Sequence, residues 1–119
     1  MSAGLTQSPS PRGSAPLAED VDGAAEVTAV LSGLPEYLQK AGEKLPQLYA
    51  RRTGDPAAAA EAAVGLQKLG IQAMDFHEAR GYALLGYSGE AALAAGDRLE
   101  AAQAAQMFYN AACANGWIG

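Results

Sequence analysis

The chain has 119 residues, half of them apolar, and 8 basic against 13 acidic side chains for a net charge of −5. That length holds one domain of ordinary size with a tail. The acidic balance excludes sequence-independent nucleic-acid binding, which needs clustered Lys and Arg on phosphates, and adhesion to anionic membranes.

Residues 1–17 are rich in Ser, Pro, Gly and Ala, as in Ser8-Pro9-Ser10-Pro11. Such a segment buries too little apolar surface to offset its chain entropy, so a flexible arm is expected ahead of a single helical domain over 18–119. The start lacks the charged and apolar stretches of a signal peptide, and no run approaches the ~20 apolar residues of a membrane span. The single cysteine, Cys113, cannot close an internal disulfide. Together these lead to an expected cytoplasmic location without membrane insertion.

Glu19, Asp20 and Asp22 complement the dipole of a first helix over 20–32, which stops at Ser32-Gly33. Pro35 suits the first position of a second helix over 35–53, and Pro46 should kink or split it. There Lys40, Lys44, Arg51 and Arg52 are interleaved with Glu36 and Glu43, the pattern of a solvated face. Asp55 caps a third helix with Pro56 in its first turn, ending near Gly70. A fourth helix is expected over 71–95. Asp97 and Glu100 form a capping-box-like pair opening a fifth, which ends at Asn115-Gly116. The Gly54-Asp55 and Gly96-Asp97 pairs lie 42 residues apart, each expected to close one helix and open the next. No alternating Val/Ile/Thr run suggests a strand. The expected fold is all-α: an antiparallel bundle of four to five helices, arranged as tandem hairpins, with a disordered N-terminal arm.

Half the chain is apolar, but much of that is alanine, so helices should approach closely around small side chains. On the fourth helix Gly70, His77, Gly81, Leu84, Ser88, Ala91 and Ala95 share one side at helical spacing. On the fifth, Leu99, Ala102, Tyr109 and Cys113 form one stripe. The consecutive Met107-Phe108-Tyr109 cannot all enter one core from a helix. Met107, Phe108, Tyr109 and Trp117 are therefore candidate residues for binding a protein partner or a second copy of the chain.

Chemistry is sparse. His77 is the single histidine, and positions 73, 74, 80 and 81 hold Ala, Met, Arg and Gly, so its helix offers no second metal ligand. No Glu-x-x-His pair of the di-iron bundles occurs. The acidic residues Asp75, Glu78, Glu90 and Glu100 read as solvated helix faces. No catalytic residue, metal site or cofactor is expected.

Two local resemblances add to this reading. Ala79-x-x-Tyr82-x-x-Leu85-Gly86, followed by Gly96-Asp97-x-x-Glu100-Ala101, resembles a tetratricopeptide-type helical hairpin over residues 79–114. That resemblance implies a scaffold or adaptor that binds a partner chain in a groove. His77-Glu78-Ala79-Arg80-Gly81 resembles the His-x-x-Lys-Gly segment of histidine phosphotransfer (HPt) domains. It implies that His77 would carry a phosphoryl group, Arg80 would steady it and Gly81 would leave access. The leading expectation is a non-catalytic interaction module or accessory subunit. The alternatives are phosphotransfer through His77, or a helical small-ligand carrier or enzyme subunit.

Overall fold

The computed structural model describes residues 19–114 and residue 116. The expected arm over 1–17 and the candidate Trp117 lie outside the described residues. Among the described residues every regular element is helical. There are six: α1 (Val21–Leu31), α2 (Glu36–Ala41), α3 (Leu45–Ala50), α4 (Pro56–Ala73), α5 (Glu78–Ala95) and α6 (Arg98–Ala114).

The expected second helix is two, α2 and α3. Proline lacks the N–H that a helix interior needs, so Pro46 is accommodated only in the first turn of a fresh helix. α3 ends at Ala50, and a turn carries the chain past Gly54, which donates its N–H to the Arg51 carbonyl at 3.3 Å. Gly54 does not take the left-handed conformation expected of it. Among the described residues the positive-φ glycines are Gly96 (φ 80°) and Gly116 (φ 72°). Asp55 does cap α4, accepting from the Ala58 N–H at 3.1 Å.

The third and fourth helices also divide elsewhere than expected. α4 runs through Gly70 to Ala73, and α5 begins only at Glu78, after an extended His77. Gly70 is not a stop, because it is buried where α4 crosses α5. A Cβ on Gly81 would lie 2.8 Å from the Gly70 carbonyl oxygen and 2.7 Å from the Met74 nitrogen. Further along the same pair, the buried Ser88 hydroxyl donates to the Ala63 carbonyl at 2.7 Å. Gly70 with Gly81 and Ala63 with Ser88 rise and fall oppositely along the chain, so the two helices are antiparallel. Their contact is backbone against backbone.

α5 occupies the middle of the fold, touching α4, α6 and α1. Leu66, Leu84, Leu38 and Val27 are fully buried among α1 to α5. Alanine supplies half of the buried apolar residues, including Ala59, Ala62 and Ala73 of α4 and Ala91 and Ala92 of α5.

The start of α1 is fastened by charge. Asp20 accepts from the Gly23 N–H at 2.9 Å, pairs with Arg52 at 2.8 Å, and donates its own N–H to the Ala50 carbonyl at 2.8 Å. The Arg52 guanidinium lies 3.8 Å from the centre of the buried Tyr49 ring. Tyr49 meets Tyr87 of α5 edge-on at 5.3 Å. The Gly23 N–H and then Arg52 hold the Asp20 carboxyl below its ordinary value. Burial pushes the Tyr49 phenol up to about 12 and raises Tyr87, the latter helped by Glu26.

Two outcomes follow. Gly81→Val should destabilise the fold by about 1–3 kcal/mol, because besides the Met74 side chain it intrudes on two backbone atoms that cannot swing aside. Gly86→Ala, whose Cβ would meet only the Phe108 ring at 3.8 Å, should instead be neutral or stabilise by up to about 1 kcal/mol through helix propensity. Urea denaturation of the two variants separates them. Stability should also narrow at both pH extremes. Asp20, depressed when folded, contributes above its unfolded value, and that contribution is lost as pH falls through its lower folded value. Tyr49, raised when folded, costs nothing below pH 10.0, and its stabilisation is lost as pH rises from there through about 12. Thermal melts across pH should show Asp20→Asn flattening the acid limb and Tyr49→Phe flattening the alkaline one.

Candidate functional site

α6 begins where the sequence places its start. Gly96 ends α5 in the left-handed conformation, and the Asp97 N–H reaches back to the Ala92 carbonyl at 2.9 Å. The Asp97 carboxylate then accepts from the Glu100 N–H at 2.9 Å. α6 runs back along α5, and Gly89 lies opposite Ala104 while Gly86 lies opposite Phe108.

The face that α6 turns inward is made of alanine. Ala101, Ala104 and Ala112 are its buried residues. The expected stripe of Leu99, Ala102, Tyr109 and Cys113 exists at helical spacing but faces solvent: Leu99 is 71% exposed, Tyr109 55%, and Ala102 and Cys113 are exposed as well. The reason is the tight α5 surface. Small residues on α5 let alanines of α6 come close, with Phe108 set against Gly86 at the edge, and the helix's remaining bulk is turned away.

The three consecutive large residues diverge as expected. Met107 is half-buried, its sulfur accepting from the Gln67 side chain of α4 at 3.5 Å. Phe108 closes one end of an open groove of about 280 Å³ between α5 and α6, walled by Gly86, Gly89, Glu90 and Leu93 on one side and Ala101 and Ala105 on the other. The groove exists because two glycines on α5 leave space that no α6 side chain fills. Leu93, on its rim, is 63% exposed. Tyr109 points outward, beyond the groove.

Leu93 and the outward turn of Leu99 are features the sequence reading missed. A signal for them was present. From Ala101 to Gly119 the chain contains no Asp, Glu, Lys, Arg or His, so most of a largely exposed helix carries no charge. The other exposed aromatics, Tyr37 and Phe76, cover one another edge-on at 6.0 Å. A second hollow of about 350 Å³ is lined by Lys40, Lys44, Glu43 and Glu61, with charges of both signs and no convergent set. Arg51 and Arg52 are engaged internally, with Asp55 at 3.9 Å and Asp20 at 2.8 Å.

The three residues singled out by the phosphotransfer resemblance have separate structural tasks. His77 is the N-cap of α5, and its Nδ1 accepts from the Arg80 N–H at 3.4 Å. The Arg80 guanidinium turns to α1, where it donates to the Ala29 and Val30 carbonyls at 3.0 Å each. It occupies the space over Gly33, whose Cβ would collide with it. Gly81 is buried in the α4–α5 crossing. Among the described residues no group of three or more His, Cys, Asp or Glu could hold a metal ion, and no helix is long and apolar enough to cross a membrane. No protein-family model, curated protein or solved structure matches the chain.

A histidine cap at 3.4 Å is a weak one. His77→Asp should therefore stabilise the protein by about 0.5–1 kcal/mol through a stronger cap and a favourable charge at the helix start. A higher denaturant midpoint checks this, and a lower one would show that His77 does more than cap.

Proposed function

We propose that this chain is a non-catalytic protein-interaction module, an accessory subunit that receives a helix on the outer face of α5 and α6. The observation that carries this reading is the inversion of α6. Its alanines are buried while Leu99 and Tyr109 face outward, and Phe108 with Leu93 of α5 rims a largely apolar groove in which Glu90 is the one charged lining residue. Contiguous exposed apolar surface marks interaction sites on otherwise soluble folds. Loss of charge together with aromatic and Met residues is the composition of an interface core. The groove has no set of convergent polar groups such as orients a small ligand, which favours a protein partner over a carrier role. The exposed Cys113 suits a reducing, cytoplasmic setting. With Arg80 bound to α1 and Gly81 inside the core, phosphotransfer gains no support from the geometry.

The test is site-specific photocrosslinking in the cells that make the protein. A photoreactive phenylalanine analogue in place of Phe108 should give a discrete protein adduct, absent from the same analogue at exposed Lys40 on α2 and lost on adding Leu93→Glu. Equal adducts at both positions, or none at Phe108, would overturn the reading.

A further inference from the structure

We propose that the outward stripe of α6, on the far side of that helix from the groove, receives α6 of a second copy, packed antiparallel across a two-fold axis. It goes beyond the docking reading above, because this stripe is a different surface from the groove.

Leu99, Ala102, Gln106, Tyr109 and Cys113 are separated by three, four, three and four residues. That is the alternating spacing of a coiled-coil seam, and every member is exposed. The stripe lies on the side of α6 turned away from α5, so α6 can hold α5 and a further helix at once. A seam of this kind asks for another helix with matching spacing, and α6 itself is such a helix.

Charge argues for the same partner. Two copies of a chain with net charge −5 repel one another, so they can meet closely only where charge is absent. Residues 101–114 of α6 are that place. The two charges of α6 sit in its first turn, at Arg98 and Glu100, and its last turn has no basic residue. Antiparallel pairing of two 17-residue helices, each about 25 Å long, brings Arg98 of each copy toward the carbonyl end of the other. A cation is favourable there, and the two helix dipoles oppose. A parallel pair would set like ends together and leave both carbonyl ends without a cation.

Antiparallel seams place each first-type position beside a second-type position of the other helix. Leu99 then packs on Tyr109 of the other copy, and Ala102 on its Gln106, each contact occurring twice. A large apolar pair flanks a small and polar pair on either side of the axis. Gln106 is the single polar member, held within its own helix by donating to Asn110 at 2.8 Å. A polar group at one seam position selects register at some cost in stability.

Sedimentation analysis of the full chain under reducing conditions, from micromolar to near-millimolar, tests this. The wild type should pass from monomer to dimer. Leu99→Lys and Tyr109→Glu should each weaken dimerisation by about tenfold or more, with unchanged helical circular dichroism because both side chains are exposed. Combined in one chain, they set opposite charges against each other twice and should restore the dimer. A strict monomer, single variants that dimerise normally, or a double variant without recovery would each overturn the antiparallel pairing. A strict monomer whose Phe108 adduct is a different protein removes the second copy and keeps the docking face. A strict monomer with no such adduct removes both.

Discussion

The rest of the structure depends on the close approach of α4 and α5. Gly70 and Gly81 let the two backbones meet, and the Ser88 hydroxyl ties α5 to an α4 carbonyl in the same line of contact. Helices this near cannot place large side chains between them, so leucines such as Leu66, Leu69 and Leu84 move to the flanks and meet α1 to α3. The hairpin is therefore an inner plate, and the remaining helices are arranged by what each side of it offers. The same contact removes Gly81 from the surface and points the neighbouring Arg80 at the end of α1.

The two sides of that plate are finished differently. On the α1 side, Asp20, Arg52, Tyr49 and Tyr87 join a charge pair, a cation over a ring and an aromatic contact to the buried leucines. On the α6 side the buried residues are alanines. An alanine removes far less apolar area from water than a leucine, so each turn of α6 adds less to stability. The larger apolar groups of α6 remain outside, where a second surface can use them. An unfinished layer at one edge of a small fold is a physical reason to associate, and the absence of charge along it lowers the desolvation cost of doing so.

Much of this was legible residue by residue. Asp55 and Asp97 cap the helices they precede, the acids at 19–22 mark the start of α1, Gly96 ends α5 in the left-handed form, and Pro46 separates α2 from α3. These are local effects, decided by atoms within a few residues of one another. Met107, Phe108 and Tyr109 were legible as divergent because no helix can aim three consecutive side chains at one core. Gly54 and Gly70 misled for one shared reason. Glycine serves both turns and close contacts, and only its neighbours in space tell which.

The stripe of Leu99, Ala102, Tyr109 and Cys113 shows where local reading stops. Helical spacing determined that these residues share a face, and nothing about the fold changed that. Whether the face was inner or outer depended on α5, against which α6 sets Ala101, Ala104 and Ala112, with Phe108 at Gly86. A sequence by itself specifies which side chains stand together on a helix, since that is set by 3.6 residues per turn. Which side is buried was decided by the shape of a surface assembled from residues more than ten positions away, and only the tertiary structure holds that information.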